Sequence, residues 1–513
     1  MIKLFGGGGG GGGGKADHPL ADPKEARRML DALPSDDTFK ALEELAHWMD
    51  WVAITEGFKP LDRIQTLYMV DDAAQPRLRK LARDYAAATR PSRFTENRIW
   101  GAMHGFWKSA GLAYARAVDL HVQNAKGVDA AKAQLPGLLV RTLRSFGQQL
   151  KWMQLRYGPM DLGVWGIANK VFAYAELRNL AQTVCTPYAG GAETTPQREF
   201  LKLVFFSASS PDSLLPMESD FAERIIGDFA GKFTLDPVRS AEHGFWTDLG
   251  QAVPPQRAMR APPSSQGLRF MGAGAARLEL EAQIASIRSA GRAPAEMLQG
   301  ALGDTEAVLE VLGHLSMHWS NSPPERRSQR HAVKSRLSVT HGFDAVVGVL
   351  GHSPEDTLDF EVKEVENWIV ENVSAGGFGA VVPQLKGDWL KVGSLLALQP
   401  DGGSNWVVGL VRRVAKTEGQ QARIGIQTLT KAPMAVQLTV AGTFGTAEAG
   451  VQLRSVDAES VETQIVLKPG VFAPGVNLEL DRGERQHVFM PQAITEKGED
   501  FEIARFREMI REA

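Results

Sequence analysis

The hydrophobic pattern of this 513-residue chain changes period once, at "NSPPERR" (residues 321–327), and that change limits what each side can fold into. Before it, apolar residues return every three or four positions. In "IWGAMHGFWKSAGLAYARAV", Ile99, Met103, Phe106, Ala110, Tyr114 and Ala117 lie on one helical stripe. "LPGLLVRTLRSFGQQLKWMQLRYG" and "VWGIANKVFAYAELRNLAQ" repeat the pattern, and strand-like alternation is scarce from Asp22 to about Ser320. "DPKEARRML" offers Asp22 as a helix cap, Pro23 for the first turn and Glu25 at the third helical position. Pro323 and Pro324 cannot sit inside a helix. Beyond them the period is two: "HAVKSRLSV", "NWIVENV", "DWLKVGSLLALQ", "NWVVGLVRRVA" and "ARIGIQTL" read as strands, with turn signals such as "PDGGSN" between them.

The expected fold class is therefore multidomain α+β. An α-helical N-terminal region, bundle or solenoid-like, precedes a small antiparallel β-barrel and a β-rich C-terminal extension. The expected boundaries are a Gly-rich flexible tail (1–21), a helical domain (22–250), a Pro/Ser-rich linker (251–270), a helical segment leading to the barrel (271–321), the barrel (322–432) and a β-rich domain (433–513). "MAVQLTVAG", "VETQIVLK" and "VNLELD" supply strands of the last domain, and "DFEIARFREMIREA" is expected to close it as a helix.

Composition excludes several classes. Hydrophobic residues at 43% and charged residues at 23% match a globular protein, and a net charge of −3 gives no overall pull toward nucleic acid or anionic membrane. A single cysteine, Cys185, rules out an internal disulfide framework and suits a reducing compartment. No apolar run reaches the ~18–20 residues of a membrane span, and "MIKLF" lacks the apolar core of a signal peptide, so a cytoplasmic location is expected.

Most motif-like features fail on chemistry. Glycines 6–14 lead into Lys15 and Ala16, without the hydroxyl residue a phosphate loop needs, and read as a flexible tail. His314 and His318 have two-histidine metal spacing, but Leu315 stands where a zinc protease has Glu and no third ligand is evident, so no metal site is expected. In "RFMGAGAARLELE", Arg277 follows Gly272 and Gly274 where a dinucleotide fingerprint has its third glycine; the segment reads as a helix entrance. Trp48, Trp51, Trp100 and Trp107 are expected in the core. Cys185 has no paired base pattern and no "GxSxG" occurs, so neither catalytic residues nor a cofactor are expected.

"ERRSQRHAVKSR" (325–336) is the most basic stretch and lies where helix gives way to strand; alone it reads as a solvated junction. It is followed, after one strand, by "ENVSAGGFGAVVP" (371–383), where Asn372, Ser374 and Gly377 form an Asn-x-Ser-x-x-Gly turn. Arg326 and Arg330 in RxxxR spacing, then that turn, then "SNWVVGLVRRV" and "ARIGIQTL", resemble the PilZ domain, the bacterial receptor module for cyclic di-GMP, over roughly residues 322–432. The stretch from Arg330 to Asn372 is longer than the family's usual spacing; it is either an insertion that extends strands or a different arrangement of the first strands.

The resemblance implies a PilZ-like barrel in which Arg326, Arg327 and Arg330 hold phosphates and guanines from one side, while Asn372, Ser374 and Gly377 receive the ligand from the other. Guanidinium groups suit both tasks, since they stack on bases and bind phosphate or a guanine edge through paired hydrogen bonds. The Gly-Gly-Asp-Glu-Phe signature of cyclic di-GMP synthases is missing. The implied function is a non-enzymatic cyclic di-GMP receptor, with the helical region contacting an unknown protein partner in motility, surface attachment or polysaccharide production. A PilZ-like interaction scaffold without nucleotide binding, or a nucleic-acid-binding protein using the basic patch, are the alternatives.

Overall fold

The computed structural model describes residues 18–86, 92–298, 302–322, 328–351, 365–403, 405–417, 419–441, 447–453, 462–482 and 485–512, with residues 4 and 16. The chain divides into two compact units, Met1–Pro324 and Glu325–Ala513.

The first unit begins as its capping residues dictate. α1 (Pro23–Asp31) starts with the Asp22 carboxylate accepting from the Lys24 and Glu25 amides, and α2 (Thr38–Ile54) is capped in the same way by Asp37. α3 (Pro60–Tyr85), α4 (Arg93–Val122), α5 (Leu135–Gln154), α6 (Leu162–Leu177), α7 (Pro196–Ala208) and α8 (Pro216–Phe229) follow. The whole apolar stripe of α4 is buried, and α4 packs against α2, α3 and α5 as the centre of a bundle. Trp48 and Trp107 are in this core, whereas Trp51, expected there, is 46% exposed and meets the His18 ring edge-on. The expected flexible tail ends before residue 21: Leu20 is buried and its carbonyl accepts from the Thr66 hydroxyl, while glycines 6–14 lie outside the described residues.

The Pro/Ser-rich segment 251–270, expected to be a linker, does not divide the unit. It contributes to a four-stranded antiparallel sheet of β1 (Thr234–Asp236), β2 (Phe245–Asp248), β3 (Gln256–Arg257) and β4 (Leu268–Gly272), in the order β1-β4-β2-β3. Strands this short have no room to display alternation, which is why the sequence hides them. α9 (Ala275–Ala290) and α10 (Thr305–Trp319) then join the same core as the earlier helices. Trp319 is fully buried edge-on to Phe205, Phe229 and Phe233, and donates its indole N–H to Ser209 Oγ at 3.2 Å. Gly272 and Gly274 serve packing: a Cβ on Gly272 would collide with the Glu242 carbonyl, and one on Gly274 would sit 2.7 Å from that of Lys232. His314 Nε2 lies 2.6 Å from the Ser209 carbonyl oxygen, tying α10 to the end of α7.

The second unit is built on period two. β5 (His331–His341), β6 (Glu366–Ser374), β7 (Gly377–Val382), β8 (Leu395–Pro400), β9 (Val407–Thr417) and β10 (Gln421–Thr430) close a barrel in the order β10-β7-β6-β5-β8-β9. Along β6, Glu366, Trp368 and Val370 are buried while Asn367, Ile369 and Glu371 are exposed. After β5 the chain forms α11 (Phe343–Gly351), whose first amide donates to the Asp500 carboxylate at 2.7 Å.

The β-rich extension is a second closed barrel: β11 (Pro433–Val440), β12 (Glu448–Leu453), β13 (Glu462–Leu467), β14 (Leu478–Arg482), β15 (Arg485–Lys497) and β16 (Glu502–Glu512), in the order β11-β12-β13-β16-β15-β14. The terminal segment, expected to be a helix, is β16. Ala504 and Phe506 point into the barrel, Arg505 and Arg507 point outward, and Ile503, on the outward face, is buried against α11; the strand lies between β13 and β15 to close the barrel. Its apolar residues fit either period, and only these long-range partners decide between them. Phe343 and Val346 of α11 sit in a core shared by both barrels, with Leu395 and Leu410 on one side and Val451, Phe501 and Ile503 on the other. Arg412 of β9 also binds Glu496 of β15 through two hydrogen bonds of 2.6 and 2.7 Å.

Candidate functional site

β6 and β7 form a hairpin in which Ser374 pairs with Gly377, so the two-residue turn is Ala375-Gly376 and Gly377 is the first residue of the returning strand. The turn is pinned to the barrel wall, since the Thr428 amide of β10 donates to the Gly376 carbonyl at 3.0 Å. Gly377 has φ 155°, a backbone angle that L side chains rarely adopt, and a Cβ there would collide with the Ile426 carbonyl oxygen. The close approach that demands glycine at this position is therefore that of strand β10. The Ser374 hydroxyl donates to the Gly377 carbonyl at 3.4 Å, across the mouth of the hairpin.

Asn372 stands opposite Gly379, and its amide lies flat over that glycine: a Cβ on Gly379 would sit 2.6 Å from Asn372 Nδ2 and 2.7 Å from Oδ1. Gly379 in turn pairs with Gly425 of β10, and Gly425 with Arg413 of β9. Directly opposed residues of antiparallel strands share a face, so Asn372, Gly379, Gly425 and Arg413 form one row across the outside of the barrel. Their neighbours Val370, Ala380, Ile424 and Val414 are buried, which fixes the row as the outer one. The Asn372 amide covers Gly379, which is buried, so the bare part of the row is Gly425, between Asn372 on one side and β9 on the other. Beside it, Arg423 faces Glu371 at 3.7 Å.

β5 brings the basic segment to this place. His331 pairs with Val373 and Ala332 with Asn372, and Arg330, which is exposed, immediately precedes His331 and so enters β5 at the end where Ser374 and the turn lie. Arg326 and Arg327 lie outside the described residues. The described part of the long stretch between Arg330 and Asn372 is β5, α11 and most of β6, with the β5-to-β6 connection at the end opposite the turn. β5 runs away from the turn, α11 follows it, residues 352–364 lie outside the described residues, and β6 returns antiparallel to β5. The first strands thus keep their neighbours, and the length of the stretch does not separate Arg330 from the turn.

The sequence reading missed Gly379, Gly425 and Arg413. The signal was present as a glycine two residues after Gly377 in "GGFGA" and as the glycine inside "ARIGIQTL", but only strand register shows that they meet.

Two parts of the chain match known families. Residues 24–242 match the family described as cyclic-di-GMP receptor FimW, N-terminal domain, and residues 354–435 match cyclic-di-GMP receptor FimW, middle PilZ domain. The second match covers β6 to β10 and begins beyond β5, although β5 closes the same barrel. No curated protein matches the chain. Among the described residues no helix is long and apolar enough to cross a membrane. Between them the two matches span more than half of the chain, in the order helical domain and then PilZ barrel that the structure displays, and the chain belongs to the family of the cyclic-di-GMP receptor FimW.

Proposed function

We propose that this protein is a non-enzymatic receptor that binds cyclic di-GMP on the outer face of its first barrel. Arg326, Arg327 and Arg330 approach from the segment that joins the two units, and Asn372, Ser374 and the hairpin ending at Gly377 receive the ligand from the barrel wall. The observation that supports this reading is the register of β5 on β6, which pairs His331, the residue after Arg330, with Val373, between Asn372 and Ser374. A guanidinium there can stack on a guanine or grip a phosphate, contributing about 1–3 kcal/mol by stacking and about 1.5–3 kcal/mol per charged hydrogen bond. Gly377 acts indirectly: it lets β10 close against the hairpin, and so sets where Ser374 and Asn372 stand.

The basic segment is also the connection between the helical unit and the barrels, so a ligand that engages it acts on that connection. Such coupling requires the nucleotide to bind one arrangement of the segment more tightly than another. The helical unit is then the output surface for a protein partner, in surface attachment or motility, and the receptor works in the cytoplasm. The scaffold alternative finds less support, since the long stretch that favoured it leaves the strand order intact.

Isothermal titration of the purified chain with cyclic di-GMP tests the reading. Arg330→Ala is expected to weaken binding by about tenfold to a few hundredfold, with an unchanged circular dichroism spectrum. Wild-type affinity in this variant would remove Arg330 from the site, and absence of binding to the unaltered chain would overturn the receptor reading.

A further inference from the structure

Gly425 poses a question that the fold does not answer. It sits inside β10, where glycine weakens a strand, and it is not among the glycines of this chain with positive φ. A Cβ on it would meet nothing closer than the Arg413 Cβ at 3.3 Å, a crowding that small shifts relieve. Neither backbone angle nor severe overlap therefore demands glycine. A strand glycine of this kind marks a place where something else comes close.

What faces it is equally specific. Between Gly425 and Ile426 the pairing of β10 with β9 shifts by one residue, so that Arg412 is the extra residue of a β-bulge. Bulges re-aim side chains. Here Val411 and Val414 are buried, and the two residues between them, Arg412 and Arg413, both turn outward. Arg412 is engaged by Gln427 at 2.7 Å and by Glu496. Arg413 is exposed and stands directly opposite Gly425, at the end of the row that begins with Asn372. The row crosses three strand spacings, about 14 Å, the scale of a cyclic dinucleotide lying flat across the strands.

We propose that Arg413 is a further ligand-binding residue, closing the site from the side opposite to Arg330, and that Gly425 is the bare floor against which the nucleotide lies, beside the Asn372 amide that covers Gly379. The inference rests on the receptor reading above. The chemistry it assigns to Arg413 is recognition of the anionic, guanine-bearing face of a cyclic dinucleotide by a planar guanidinium, at a position outside both the arginine segment and the Asn-x-Ser-x-x-Gly turn. The bulge supplies the aim, and Gly425 supplies the clearance.

Titration of cyclic di-GMP into the full chain, the Arg330→Ala variant, the Arg413→Ala variant and the Gly425→Val variant tests it. Arg413→Ala is expected to lose at least tenfold in affinity with an unchanged thermal midpoint, because the side chain lies on the surface. Gly425→Val is expected to lose as much by filling the floor. If the unaltered chain binds, Arg330→Ala binds weakly and Arg413→Ala binds like the unaltered chain, this inference is overturned while the receptor reading stands. If the unaltered chain does not bind, the receptor reading fails and the role of Arg413 fails with it.

Discussion

Arg141 in α5 is held between the rings of Tyr68 and Tyr188, 4.0 and 4.3 Å from their centres, and bonded to Asp71 at 3.0 Å and Asp72 at 2.8 Å. Asp71 is fully buried and also accepts from the hydroxyls of Tyr114 at 2.7 Å and Tyr188 at 3.0 Å. Removing the cation would leave a buried carboxylate without its countercharge, so Arg141→Ala is expected to destabilise the helical unit by about 3–5 kcal/mol in urea unfolding. A loss below about 1 kcal/mol would show that the pair does not pin the helices. The sequence showed this arginine only as a charge within an apolar helix, because the partners come from positions near 70 and 188. The same limit applies in the barrel. Asn372, Ser374 and Gly377 were legible as a turn with polar donors, yet the reason for Gly377, the carbonyl of Ile426, lies on a strand some fifty positions away. Arg413 was quoted within a strand and passed over, since only the bulge on β9 shows that it faces outward.

At the scale of elements, the caps and stripes of the long helices were readable because they are local: Asp22 and Pro23 start α1, and the stripe from Ile99 to Ala117 is the buried face of α4. The errors fall where partners decide. β16 has a composition that fits either period and becomes a strand because β13 and β15 flank it. The short strands β1 to β4 were hidden in a stretch whose prolines and serines read as a linker. α11 depends on a long-range contact of the same kind, the Asp500 carboxylate that accepts its first amide from the second barrel. Asp500→Ala is therefore expected to destabilise the second unit by about 1 kcal/mol, the usual value of a lost helix cap, in urea unfolding of the full chain. No change would show that α11 is held by its apolar face alone.

For the whole molecule, the order of helical unit, PilZ barrel and further β-rich region was legible because hydrophobic period is set residue by residue along the chain. That the last region is a closed barrel, sharing a core with the first through Phe343 and Val346, was not, because closure is a property of six strands together. These levels meet where the basic segment enters β5 beside the β6–β7 hairpin. Amide hydrogen exchange of the full chain, with and without cyclic di-GMP, reads that place directly. Exchange is expected to slow in peptides covering residues 328–336, 371–380 and 411–427, with the three responding at the same nucleotide concentration. Protection confined to the helical unit or the second barrel, with these three unchanged, would contradict a ligand site there.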